Sequence, residues 1–321
     1  MRYGDSPFAL EATASSGLAV AYASSNPAVA TISGATVTVV AVGTTTLTAS
    51  QGGDANWQPA TSIERTLTVG PAVLTCTADA AARVYGEENP PLTISYSGLL
   101  NGDTAPDTPP EAACAATAAS STGEYLITLA GGSDPNYDLT LVDGTLSVGK
   151  RQLTATADAA TRDYGQENPD FTVSYSGFVN GDEVADLDTA PSAACAATPA
   201  SAVALYPIVP AGGSDGNYAF DYVNGSLTVE PATLTCTADD KQRGYGQENP
   251  DLTIGYTGLR NNDPAPATPP TAACAASAAS ATGTYPISLA GGSDPNYALT
   301  LVDGTLTVGP AVLTCTADAA A

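Results

Sequence analysis

Tyr85-Gly86-Glu87-Glu88-Asn89-Pro90 returns as Tyr164-Gly165-Gln166-Glu167-Asn168-Pro169, and again as Tyr245-Gly246-Gln247-Glu248-Asn249-Pro250. The offsets are 79 and 81 residues, and self-similarity at such a period means tandem modules rather than one large domain. Gly102 maps onto Gly181 but Cys114 onto Cys195, which places the two-residue insertion between Glu183 and Pro191. Copies one and three align without gaps at an offset of 160, through Cys76 and Cys236, Gly123 and Gly283, Tyr137 and Tyr297. Residues Gly309 to Ala321 repeat Gly70 to Ala82 letter for letter, and Tyr3-Gly4-Asp5-Ser6-Pro7 matches the interior of a module. The chain thus reads as a piece of a longer array. Residues 1–70 form a module lacking its first strand, 71–149, 150–230 and 231–309 form three repeats, and 310–321 form the first strand of a fourth.

Outward from the motif, each copy alternates with a period of two. Leu74-Thr75-Cys76-Thr77-Ala78 puts Leu74, Cys76 and Ala78 on one face, and Leu92-Thr93-Ile94-Ser95-Tyr96 behaves alike. Residues 112–117 form a weaker strand of small side chains, and Tyr125, Ile127 and Leu129 share a face in the next. Leu139 to Val142 and Thr145 to Val148 flank Asp143-Gly144, the pattern of a two-residue hairpin needing φ > 0. Asn224-Gly225 and Asp303-Gly304 stand at the same place. Six strands per copy predict an all-β chain, a linear tandem array of small immunoglobulin-like β-sandwich modules, with a β-grasp-like arrangement of the repeats as the alternative. The joints, such as Val229-Glu230-Pro231 and Val308-Gly309-Pro310, are two or three residues long and leave little slack. A monomeric rod is the expected shape.

Composition narrows the chemistry. Nine Lys and Arg stand against 33 Asp and Glu, for a net charge of −24. That balance repels phosphate backbones and anionic lipid, which argues against nucleic-acid and membrane-surface binding. No apolar run approaches the ~18 residues of a membrane span, so no membrane insertion is expected. The chain has no His, so there is no imidazole base and no Ser-His-Asp or Cys-His arrangement. No Cys-x-x-Cys supports zinc. The acidic residues sit in turns at repeated positions, whereas an active site should occur once. No enzyme, no cofactor and no metal site is expected. The loops Gly132 to Asn136, Gly213 to Asn217 and Gly292 to Asn296 could offer oxygens to calcium, but Asx turns satisfied by their own backbone fit them better. The repeated tyrosines could stack on sugars, but their fixed places favour packing, with the ring in the core and the hydroxyl bonded at the rim.

Cys76 and Cys114 are 38 residues apart, as are Cys236 and Cys274, and the strand phase points each pair into its core. Two disulfides are expected there, each adding roughly 4 kcal/mol on a chain-entropy estimate. They would require an oxidising, exported setting. Ala155 replaces the first cysteine of the second copy, which leaves Cys195 as an unpaired, inert thiol, and Cys315 likewise has no mate.

The second copy carries a broader likeness. Tyr164-Gly165, Asn168-Pro169, Tyr175 to Asp182, Tyr206-Pro207-Ile208, Asn217-Tyr218 and Tyr222 to Val229 resemble the MBG modules of the YGX type in bacterial surface proteins, over residues 71–309. Residues 1–69 resemble a bacterial immunoglobulin-like module, through Ala14 to Leu18, Ser25 to Thr31 and Val42 to Ala49. The resemblance implies a non-catalytic stalk or spacer of a secreted or cell-surface adhesin, whose ligands on host, matrix or neighbouring cells are met by other parts of the parent. The alternatives are a module that binds a host, matrix or glycan ligand itself, with the second copy and the N-terminal module, which holds the single Trp57, as the candidates, and an accessory region of a large secreted enzyme.

Overall fold

Short alternating runs of apolar and hydroxyl-bearing residues form strands such as Ala72–Ala78 and Ala232–Ala238. In the computed structural model, which describes residues 1–316, the N-terminal module holds β1 (Phe8–Ala9), β2 (Ala21–Ser24), β3 (Ala30–Ser33), β4 (Thr36–Val39), β5 (Gly43–Ser50) and β6 (Ile63–Val69). They make two antiparallel sheets, ordered β1-β4-β3 and β2-β5-β6. Ala30, Val37 and Leu47 form a small buried cluster, and Val29, Val39 and Val69 a second.

The first repeat holds β7 (Ala72–Ala78), β8 (Ala81–Val84), β9 (Ile94–Ser97), β10 (Glu111–Cys114), β11 (Gly123–Ala130), β12 (Tyr137–Val142) and β13 (Gly144–Gly149). One sheet is ordered β12-β7-β9 and the other β10-β11-β13-β8. The pairs β7–β12 and β8–β13 are parallel, and the rest antiparallel. Leu74, Cys76 and Ala78 of β7, Ile127 and Leu129 of β11, and Leu146 and Val148 of β13 are buried. Each large side chain so buried contributes about 1.5–3 kcal/mol. Among the described residues no α-helix lies on either sheet, which favours the sandwich over the β-grasp-like alternative.

Two expectations change here. The repeat has seven strands rather than six, because Ala81–Val84, too weakly apolar to read as a strand, lines up in parallel with β13. The Asp143-Gly144 hairpin does not form either. β12 and β13 belong to different sheets, and Gly144 is absent from the glycines with positive φ. Its role is steric: a Cβ there would stand 2.4 Å from the Ala78 carbonyl oxygen as the chain crosses the end of β7. Gly225 and Gly304 face Ala157 and Ala238 in the same way, each at 2.3 Å.

Strands β14–β20 (residues 151–230) and β21–β27 (residues 232–309) repeat this topology. The insertion of the second repeat is a single 3₁₀ turn, Val184–Asp186, where Asp186 Oδ2 accepts the Glu183 N–H at 2.8 Å. Pro231 alone separates β20 from β21 (Ala232–Ala238), a tighter joint than expected. Residues 310–316, which copy β7, form no strand. In the repeats that strand lies between two strands that come after it in sequence. The last five residues of the expected fourth copy fall outside the described residues. The chain divides into two compact units, residues 1–151 with 216–218, and residues 152–215 with 219–316 as described. No helix among the described residues is long and apolar enough to cross a membrane.

Candidate functional site

The Tyr-Gly motif begins with a residue that the sequence analysis passed over. Arg83, Arg162 and Arg243 each stand two residues before Tyr-Gly, and each is buried. Arg83 Nε donates to Asn89 Oδ1 at 2.8 Å, one Nη to the Val84 carbonyl at 3.2 Å, and the other to the Thr117 carbonyl at 2.5 Å. Asn89 Nδ2 in turn donates to the Ala116 carbonyl at 2.7 Å. Arg162 with Asn168 and Arg243 with Asn249 copy the arrangement. This explains the Asn of Asn-Pro: it relays the guanidinium to the backbone of a distant loop. The clue was present, since three of only nine basic residues fall at one repeat position.

Buttressed in this way, Tyr85 and Tyr164 reach tyrosines outside their own modules, and Tyr3, which has no such arginine, does the same. Within the first unit, Tyr3 packs edge-on against Tyr137, with ring centres 5.3 Å apart and planes at 85°. Both hydroxyls donate to Asp103 Oδ2, at 3.0 and 2.7 Å. The Tyr137 hydroxyl also accepts the Leu100 N–H at 2.7 Å. Asn136 Oδ1 accepts the Val42 N–H at 3.0 Å, which ties the loop of repeat 1 to the N-terminal module. Tyr85 meets Tyr218 in the same geometry, at 5.6 Å and 84°, both residues lying in this unit.

Within the second unit, Tyr164 of repeat 2 meets Tyr297 of repeat 3 at 5.4 Å and 83°. Their hydroxyls donate to Asp263 Oδ2 at 3.2 and 2.7 Å. Asn296 Oδ1 accepts the Val203 N–H at 3.0 Å. One apolar cluster runs without a break from Ala157 and Leu227 to Leu234 and Leu306, with Tyr164 and Tyr297 among its members. The tyrosines were expected to pack, and these do, but between modules rather than inside one. Burial, reinforced by the Asp103 carboxylate, pushes Tyr137 up to about 12. Burial and Asp263 do the same for Tyr297, against the lowering effect of the Arg260 N–H.

The Asp-Asn loops are backbone devices. Asp134 Oδ1 accepts the Asn136 N–H at 2.7 Å, and its Oδ2 accepts the Asp107 N–H at 2.9 Å. Asp294 does the same with Asn296 and Ala267. Among the described residues no group of three His, Cys, Asp or Glu is placed to hold a metal ion.

All six cysteines are free thiols in this structure, so the expected Cys76–Cys114 and Cys236–Cys274 pairs stand unbridged. Each pair is divided between facing sheets: Cys76 sits in the middle of a central strand, and Cys114 at the end of the edge strand β10. Burial pushes the Cys76 and Cys236 thiols up. Cys195 is half-buried and Cys315 exposed.

Elsewhere, a groove of about 340 Å³ in the N-terminal module is lined by Leu10, Tyr22, Leu47, Ile63 and Arg65 among others. Trp57 is exposed on the loop between β5 and β6.

The MBG domain (YGX type) family model matches residues 74–147, 153–228 and 234–307. Comparison with curated proteins finds no match. Among solved structures, Drosophila N-cadherin EC1-4 is similar at 10% identity, over 95% of this chain and 96% of that one, with a TM-score of 0.25. The fold assignment above rests on the strand pairing instead.

Proposed function

Starting from the fact that this chain belongs to the MBG domain (YGX type) family, we propose that it is a non-catalytic spacer in an exported bacterial surface protein, an adhesin stalk whose job is to hold modules in fixed succession. The observation behind this reading is the shared carboxylate of Asp103 and Asp263, each taking one tyrosine from its own module and one from the module before. At both places a buried aromatic pair and a carboxylate join consecutive modules. Small-angle scattering tests it. A globule of this length would have a radius of gyration of about 20 Å, and the spacer reading expects a value well above that. A compact profile would overturn it.

A second reading, direct ligand binding by an immunoglobulin-like module at residues 1–69, draws on the groove beside Tyr22 and Arg65 and on the exposed Trp57. Screening glycans and matrix peptides against the chain and against Tyr22→Ala separates the two, because a spacer binds none of them.

A further inference from the structure

We infer that the Tyr245-Gly246 face of repeat 3 is a docking surface for one more module of this family, which would bring to it an Asp, Asn and Tyr set like Asp103, Asn136 and Tyr137. Three independent observations meet there. Tyr3, Tyr85 and Tyr164 are each 6% exposed beneath a partner ring, whereas Tyr245 is 50% exposed. A Cβ on Gly4 would strike Leu100 at 2.3 Å, and one on Gly165 would strike Arg260 at 2.4 Å, in each case a side chain of the following module. Gly246 holds the same backbone conformation as Gly165, φ +82, and a Cβ there would meet nothing within 4 Å. Finally, the Thr122 and Val203 N–H groups are capped by Asn217 and Asn296. Thr282, at the same place in repeat 3, is exposed, and no asparagine reaches it among the described residues.

Ring, glycine and N–H therefore present together the half of the junction that is filled elsewhere in this chain. The chemistry of the occupant follows from the filled copies: a carboxylate that accepts from the Tyr245 hydroxyl, a second tyrosine to stand edge-on against its ring, and an asparagine oxygen for Thr282. A second copy of this chain cannot supply them. Its own acceptor tyrosines, Tyr137, Tyr218 and Tyr297, are 5%, 3% and 4% exposed and already engaged. A further module can, and residues 309–321 carry the opening sequence of repeat 1. The inference goes beyond the spacer reading and stands without it, since a flexible array could still bury Tyr245.

Adding residues 83–149 of this sequence after Ala321 completes a fourth repeat, and nitration followed by mass spectrometry reads each tyrosine. In the 321-residue chain Tyr245 should react about eight-fold faster than Tyr3 or Tyr164, the ratio of 50% to 6% exposure. In the extended chain its rate should fall to theirs, and replacing the added copy of Asp103 by Ala should raise it again. Undiminished reaction of Tyr245 in the extended chain overturns the inference. A second arm does not depend on the added repeat folding. Asp263→Ala combined with Tyr297→Ala in the 321-residue chain should raise Tyr164 towards the rate of Tyr245. If Tyr164 stays protected, that residue set is not what covers a Tyr-Gly face, and the inference fails.

Discussion

Tyr164 donates to a carboxylate 99 residues further along the chain, and Tyr297, from that carboxylate's own module, donates to the same oxygen. The pair shows where the second unit is held together. An edge-on ring pair adds about 0.5–1.5 kcal/mol beyond its buried area, and a hydrogen bond to a charged group about 1.5–3 kcal/mol. Tyr164→Ala should therefore cost about 3–5 kcal/mol, in the range of aromatic deletions from a core. Tyr164→Phe should cost only the hydroxyl's share. Urea unfolding of both variants checks this, and equal losses would show that the ring contributes nothing.

The same junctions set an alkaline limit. Tyr137 and Tyr297 are pushed up to about 12 in the folded chain, against about 10 for a free tyrosine. A raised folded value means the neutral phenol is what the fold stabilises. Its contribution is complete below pH ~10 and is lost as pH climbs through about 12. The wild-type chain should lose stability steeply over that interval, and the double variant Tyr137→Phe with Tyr297→Phe should lose less. Phenolate absorbance and melting temperature, followed together against pH, measure both.

Arg162 offers a third test. Its guanidinium serves Asn168 and two backbone carbonyls while 5% exposed. Arg162→Met leaves those acceptors without donors at about 1–3 kcal/mol each, so a loss of about 3 kcal/mol or more is expected. Arg162→Lys should recover little of it, because a single ammonium cannot reach acceptors arranged for a planar fork. Denaturant midpoints decide, and full recovery by Lys would mean that charge alone matters.

Two glycines separate crowding from backbone strain. Gly225→Ala would push a Cβ to 2.3 Å from the Ala157 carbonyl oxygen, and should cost about 1–3 kcal/mol as overpacking does. Gly102→Ala meets nothing within 4 Å but holds φ +91, and should cost about 1 kcal/mol through strain alone. Comparing each with its Ser variant sharpens the contrast, since the larger side chain worsens only the crowded site.

The repeat and most strands were legible because period-two alternation and recurring motifs are local signals. Asp143-Gly144 misled for the same reason. Its local pattern is that of a hairpin, while its use is set by the Ala78 carbonyl, 66 residues back in sequence. Ala81–Val84 was missed because its partner β13 supplies the order that its own composition lacks. The fixed positions of the tyrosines were visible, but the side of the module boundary on which they bond was not. Tyr3 and Tyr137, or Tyr164 and Tyr297, are more than a hundred residues apart, and nothing in either neighbourhood names the other. Arg83, Arg162 and Arg243 could have been found by asking why so few cations recur so regularly.

The parallel pairing within each repeat has a mechanical consequence. The first strand of the third repeat, β21, lies beside β26 (Tyr297–Val302) in six parallel residue pairs, and β22 (Lys241–Gly244) lies beside β27 (Gly304–Gly309) in four. A pull on the two ends of the module draws β21 and β22 one way, and β26 and β27 the other, along the strand axes. The load falls on those hydrogen bonds in shear. Unzipping would break them one at a time, but in shear they yield together, so a module paired in this way is expected to resist stretching more than one loaded across its strands.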